Sequence, residues 1–199
     1  MTRVGVLALQ GDVREHRAML EHLDVETVPV RTPADLQGLQ GIVFPGGEST
    51  AIAHLLKSSG LAEALGELIN DDFPVFGTCA GLILLSSEIL DGRAQQWSFG
   101  ALDVAVRRNG YGRQIASFEV PVSVSGIGEY EAVFIRAPRI ERVSKEVSVL
   151  ASLDKDGEHP VLIRQGNLWG CSFHPELTTD SRIHDAFVQS LSLDTINYP

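Results

Sequence analysis

The sequence predicts an α/β fold, a single-domain, doubly wound, mainly parallel sheet flanked by helices, with a β-rich extension in the second half. Three observations carry this. Short apolar runs alternate with helical patterns through the first half. Those runs are nearly continuous in apolar residues, as in strands covered on both faces. Each of them ends at a cluster of turn-forming residues.

Residues 3–9 form the first run, ended by Gln10-Gly11-Asp12. Residues 13–23 then set Val13, Ala18, Met19, Leu20 and Leu23 among charges at roughly helical spacing, with Asp12 as candidate N-cap. A second strand follows at 25–30. After the Thr32-Pro33 breaker, Gly41-Ile42-Val43-Phe44 stops at Pro45-Gly46-Gly47. Helical patterns at 51–57 and 61–70 lead to a strand at 73–77, and Leu82 to Leu85 reads as helix again. The second half carries strand runs at 101–107, 116–124, 132–136, 147–153, 160–164 and 168–173, and closes with a helix near 180–192. No internal repeat or Pro-, Gly- and Ser-rich linker divides the chain. One domain over 1–199, one mixed sheet with a β-rich extension, is the expectation.

The 199 residues are 44% hydrophobic and 21% charged, ordinary for a globular chain and enough to bury a core. Sixteen Lys and Arg against 26 Asp and Glu give a net charge of -10, which repels phosphate backbones and argues against general nucleic-acid binding. Small molecules or proteins are the expected partners. Two cysteines, Cys79 and Cys171, are too few for a disulfide framework and fit a reducing compartment. No apolar run approaches the roughly 18 residues of a membrane span. Met1 to Leu9 is too short for a signal peptide and lacks a cleavage site, so a cytoplasmic protein is expected.

The most informative residues are Gly77-Thr78-Cys79-Ala80-Gly81, between a predicted strand and a helical run. They have the form of a nucleophile elbow with Cys in place of Ser. Flanking glycines admit close backbone packing, and the helix N-terminus lends positive potential at the sulfur. The plainer alternative is a small buried apolar residue at a Gly-rich turn. A thiolate nucleophile needs a proton carrier oriented by a third group, and His174-Pro175-Glu176 offers both at the end of a strand. In extended chain, residues i and i+2 project to one side, so Glu176 is placed to hold the His174 imidazole. His16, His22, His54, His159 and His184 lack such a context and read as solvated or structural.

The third element is Pro45-Gly46-Gly47-Glu48-Ser49-Thr50. Adjacent glycines let backbone N–H groups turn toward a ligand, as an oxyanion hole requires. As a phosphate loop it is poor, with Glu48 where a Lys would help and no Walker spacing. Alone it also reads as a strand-to-helix turn capped by Ser49 or Thr50.

Together the elbow, His-Pro-Glu and Pro-Gly-Gly resemble the class I glutamine amidotransferases, which implies a flavodoxin-like α/β domain with a Cys, His, Glu triad. Within that class, the stretches Leu9-Gln10-Gly11-Asp12-Val13-Arg14-Glu15-His16, Pro45 to Thr50, Gly77 to Leu82, Phe134-Ile135-Arg136-Ala137-Pro138 and Gly170 to Leu177 are similar to one family. It is the family of glutaminase subunits of pyridoxal 5′-phosphate synthase. Residues 91–99 and the tail after Leu193 add nothing to the match.

The resemblance implies that Cys79 attacks the side-chain amide of L-glutamine, with His174 as proton carrier and Glu176 as its orienter. It implies an oxyanion hole from the N–H groups of Gly47 and Ala80, and substrate contacts at Gly47, Glu48, Ser49, Arg108, Ile135 and Arg136. An Arg suits the substrate α-carboxylate because its fork pairs with it bidentately, although Arg107, Arg108 and Arg113 also read as a solvated basic cluster. No cofactor and no metal are implied. The implied partner is the synthase subunit, in a hetero-oligomeric complex that receives the ammonia and carries out the ring chemistry. Gln10, expected at the same sheet edge as the glycine loop, is the candidate residue for partner gating of that loop. A glutaminase serving another pathway would share the triad without the Gly-Gly-Glu-Ser-Thr and Phe-Ile-Arg-Ala-Pro segments. A stand-alone γ-glutamyl hydrolase would need no partner.

Overall fold

A computed structural model describes residues 1–92, 96–110, 117–154 and 158–193. The first half follows the predicted alternation: β1 (Arg3–Leu7), α1 (Val13–His22), β2 (Glu26–Val30), β3 (Gly41–Phe44), α2 (Ser49–Ser58), α3 (Leu61–Asn70), β4 (Val75–Thr78) and α4 (Ala80–Leu85). The second half adds β5 (Ser86–Ile89), β6 (Leu102–Arg107), β7 (Ser117–Val124), β8 (Gly128–Ile135), β9 (Arg139–Val143), β10 (Ser148–Ser152), β11 (Pro160–Gln165), β12 (Leu168–Cys171) and α5 (Arg182–Leu193).

The main sheet runs β10-β11-β12-β4-β3-β1-β2. Its members from β12 to β2 are all parallel, while β10 and β11 continue it antiparallel. Pro29, which has no N–H to give a ladder, lies in β2 at the sheet edge. The apolar runs of the inner strands divide between two faces. Leu7, Ile42, Phe44 and Val75 pack with α2, α3 and α4 on one side, and Val4, Val6, Val43 and Phe76 pack with residues of α1, α5 and β8 on the other. Side chains alternate along a strand, so a continuous apolar run is what two covered faces demand.

This is the expected mixed sheet with its β-rich extension. The β-rich extension forms two further sheets among the described residues, β5-β6-β9 and the hairpin β7-β8. Which strands pair is decided by long-range packing that local patterns do not encode. Neither β5 nor β9 was expected. Ser86–Ile89 directly follows the Leu82 to Leu85 run, and Arg139–Val143 is charged and partly exposed, so neither presents a clean apolar alternation. The predicted cap at Asp12 makes no side-chain capping bond. The run expected at 116–124 is described from Ser117, and Arg113 and the tail after Leu193 lie outside the described residues. No helix among the described residues is long and apolar enough to cross a membrane.

The parallel strands fix one functional edge. Register pairs Phe44 with Gly77 and Thr78 with Cys171, so the chain leaves β3, β4 and β12 side by side. The segments that follow carry Gly46-Gly47, Cys79 and His174, at the carboxyl ends where ligands of such sheets bind.

Candidate active site

Cys79 stands between β4 and α4 at φ 49° and ψ −102°, a conformation that L-residues rarely adopt. The surroundings hold it there. Its N–H donates to Cys171 O at 2.8 Å, and its carbonyl accepts from Ile83 N–H at 3.3 Å. A Cβ on Gly81 would lie 2.1 Å from Phe44 O, and one on Gly77 would lie 2.6 Å from the Gly81 backbone. The glycines therefore let α4 close onto the ends of β3 and β4 and turn the sulfur outward, as an elbow requires.

His174 follows β12, and its N–H donates to Val133 O at 2.8 Å. The chain does not run on extended to Glu176 as the sequence predicts. Pro175 opens a 3₁₀ turn at Pro175–Leu177, which folds the carboxylate back under the imidazole. The His174 Nδ1 to Glu176 Oε1 distance is 2.7 Å, with both side chains buried. Burial disfavours the imidazolium, but hydrogen bonds and charge from Cys79 and Glu176 outweigh it and raise the His174 pKa to about 11. Burial likewise raises the Glu176 carboxyl above its usual range, against the pull of His174. With Nδ1 committed to Glu176, Nε2 is the nitrogen left for the thiol proton.

The Gly46-Gly47 loop lies over this pair. A Cβ on Gly46 would fall 2.5 Å from His174 Cε1, and Gly47 has φ +152°. Gln10 Oε1 accepts from Glu48 N–H at 2.8 Å and would sit 2.5 Å from a Gly47 Cβ, so Gln10 braces the loop. The cap of α2 is Glu48 and neither Ser49 nor Thr50: its carboxylate accepts from Thr50 N–H at 3.1 Å and Ala51 N–H at 2.7 Å. Burial raises the Glu48 pKa, but these N–H groups and Arg108 bring it below the usual carboxylate value.

In front of the sulfur is a cavity of about 380 Å³ lined by Gly47, Glu48, Ser49, Cys79, Ile83, Arg108, Asn109 and Arg136. The structure thus brings together every expected substrate residue except Ile135, whose side chain is exposed and does not line the cavity. Ile135 ends β8, and the next residue, Arg136, turns back with φ 45°. Arg108 is held by its backbone N–H to Asp91 Oδ1 at 2.6 Å and by Nη2 to Glu48 Oε1 at 3.1 Å. Its Nε is buried with no hydrogen-bond partner among the described residues.

Sequence reasoning missed Asp91, Ile83 and Asn109. It also missed Gln96, which contacts Ser49 and Thr50 at the start of α2. Asp91 and Gln96 lie in a stretch without periodicity, so no local signal marks them. Asp12, His174 and Glu176 offer ligand atoms within 4.8 Å of one another. A 2.7 Å contact between two of them is a hydrogen bond, closer than two ligands about 2.0–2.1 Å from a tetrahedral ion can be.

The chain matches the SNO glutamine amidotransferase family over residues 6–193. It is 49% identical over 187 residues to the pyridoxal 5′-phosphate synthase subunit PdxT of Pseudothermotoga lettingae, covering 94% of each chain. It is 54% identical to the PdxT subunit of Clavibacter sepedonicus, over 93% of this chain and 88% of that one. A crystal structure described as a glutamine amidotransferase superposes with a TM-score of 0.89 at 45% identity, covering 95% of this chain and 98% of that one. PurLQS from Thermotoga maritima shares the fold at a TM-score of 0.70, with 17% identity and coverage of 98% of this chain and 99% of that chain. By these matches, the chain belongs to the SNO glutamine amidotransferase family.

Proposed function

We propose that the chain is a single-domain glutaminase that hydrolyses L-glutamine to L-glutamate and ammonia and supplies that ammonia to the synthase subunit of pyridoxal 5′-phosphate synthase. The observation that carries the reading is the strained Cys79 lining a cavity shared with Glu48, Arg108 and Arg136, beside a buried His174 that Glu176 holds through Nδ1. Family membership and the PdxT relatives supply the substrate and the partner.

Cys79 S⁻ adds to the amide carbon, and the carbonyl electrons collect as an oxyanion met by the N–H groups of Ala80 and Gly47. The protonated His174 gives its Nε2 proton to the departing nitrogen, the C–N bond breaks, and ammonia leaves a γ-glutamyl thioester. Water then attacks the thioester as His174 takes its proton. The C–S bond breaks and glutamate leaves. Arg108 and Arg136 face the α-carboxylate, and Glu48 faces the α-ammonium. The ring chemistry belongs to the partner, and the cytoplasm, where thiols stay reduced, suits a cysteine nucleophile.

The test is ammonia release from glutamine, with and without the synthase subunit, paired with labelling by an electrophilic glutamine analogue. Burial raises the Cys171 thiol pKa well above its usual value, so Cys79 alone should carry the label. Labelling of Cys171, or no ammonia in the complex, would overturn the reading.

A further inference from the structure

Behind Glu176 lie two histidines that the hydrolytic steps leave unused. His16 on α1 and His184 on α5 are fully buried. His16 Nδ1 is 2.9 Å from His184 Nε2, and His16 Nε2 is 3.0 Å from Thr78 Oγ1 and 3.4 Å from Glu176 Oε2. That Oε2 has no hydrogen bond of good geometry among the described residues, so the 3.4 Å approach is an electrostatic contact. His184 Nδ1 is also buried without a hydrogen-bond partner there.

These contacts fix the tautomers. Burial lowers both histidines, His16 well below its ordinary value and His184 to about 4, so each ring is neutral near pH 7 and carries one N–H. If His16 donated from Nδ1, its bare Nε2 would face the Glu176 carboxylate and His184 would be left with an orphaned N–H at Nδ1. The reverse arrangement lets His184 Nε2–H donate to His16 Nδ1 and turns the His16 Nε2–H toward Thr78 and Glu176. The unpartnered atom of His184 is then a lone pair, which costs less than an orphaned buried N–H.

We propose that His16 is a positioning residue for Glu176: His184 holds its Nε2–H on the side of Thr78 Oγ1 and of the second carboxylate oxygen, 3.0 and 3.4 Å away, while the first oxygen holds His174. The inference rests on the glutaminase reading, in which His174 carries the proton. A carboxylate taken almost wholly out of water needs a favourable partner at each oxygen to stay ionised and in place. Other ionisable groups do not supply the second one. Asp12, 3.5 Å from His174 Nδ1, acts against ionisation of Glu176. Cys171 from β12 and Tyr130 from β8 are raised by burial and remain neutral.

The complex with the synthase subunit is assayed for kcat and KM across neutral and mildly acid pH. His16→Leu should lower kcat at least about tenfold, well short of the ~10⁴-fold loss of a triad orienter, with KM little changed. Its acid limb should move to higher pH by about one unit, because a carboxylate without its donor protonates more readily. His16→Gln, which keeps an N–H near the Nε2 position, should recover most of kcat and return the limb. His184→Leu should shift both in the same direction by less, and it serves as the readout if His16→Leu does not fold. A folded His16→Leu with wild-type kcat and acid limb overturns the inference. So does equal loss in the Leu and Gln variants with an unmoved limb, or an unchanged profile in His184→Leu. An active wild type with unaffected variants overturns this inference alone. A wild-type complex that releases no ammonia overturns the glutaminase reading and this inference with it.

Discussion

Arg108 Nη2 lies 3.1 Å from Glu48 Oε1 at the cavity that holds Cys79. The two charges are fixed by different means, Glu48 by the N–H groups it caps and Arg108 by Asp91 at its backbone. They present an anion and a cation side by side, with the Arg108 Nε donor unspent. An α-amino acid carries the complementary pair of charges on two groups that share one carbon.

From that pairing we expect Arg108→Ala to raise KM for glutamine by about 10- to 100-fold, the value of one hydrogen bond between charged groups, with kcat less affected. Stability should barely change, since a partly exposed ion pair contributes only about 0–1 kcal/mol. Glu48→Ala should also raise KM, and it should cost about 1 kcal/mol of unfolding free energy through the lost cap. Steady-state kinetics and urea unfolding separate the two effects. An Arg108→Ala variant with wild-type KM would remove Arg108 from the substrate site.

The second prediction concerns Gly81. Its absent Cβ would meet Phe44 O at 2.1 Å, and that oxygen belongs to backbone inside the sheet, which cannot swing aside. Gly81→Ala should destabilise the fold by about 3 kcal/mol or displace α4 from β3. Either outcome tilts the elbow, so residual folded protein should lose labelling of Cys79. By contrast, Gly66→Ala on α3 meets nothing within 4 Å, and it should stabilise by a few tenths to about 1 kcal/mol. Urea midpoints for the two variants test the contrast.

The legibility of the site followed the range of its signals. Cys79 and His174-Pro175-Glu176 were readable because strand, glycine and proline cues lie within a few residues of each. Glu176 reaches His174 through a 3₁₀ turn that alternation along an extended chain did not foresee, although the pairing itself was expected. His16 and His184 are 168 residues apart, and each alone looks like an ordinary helical histidine. Packing of α1 and α5 against the same face of the sheet makes them neighbours. The strands β5 and β9 failed for a related reason, since their pairing with β6 supplies what their own composition lacks.

The buried histidines also give the fold a pH dependence. His184 has a folded pKa of about 4 against an ordinary 6.5, and His16 is displaced the same way. Above pH 6.5 both are neutral folded and unfolded, and their contribution is complete. As pH falls from 6.5 toward about 4, the unfolded chain takes up protons that the folded chain refuses, so stability is lost. His184 alone should cost about 3 kcal/mol over that window. Urea unfolding across that range should show the decline, and His184→Leu should flatten it. An equal decline in that variant would show that His184 is not held neutral.

The last prediction concerns Gln10, whose exposed side chain accepts from Glu48 N–H at 2.8 Å and fills the space beside Gly47. The peptides around Gly47 are thus held from the surface rather than from the core, and a docked protein can reach the brace that sets their orientation. Gly47 at φ +152° has the freedom to adopt a second orientation that brings its N–H to the oxyanion. Addition of the synthase subunit should raise kcat for glutamine hydrolysis, a population shift between two loop states. Gln10→Ala should reduce that stimulation by a larger factor than it weakens association, measured by titration of the two subunits. If the variant loses stimulation only in proportion to binding, Gln10 is a contact residue and no part of a gate. If the isolated chain already works at the kcat of the complex, the loop needs no partner to complete the oxyanion hole.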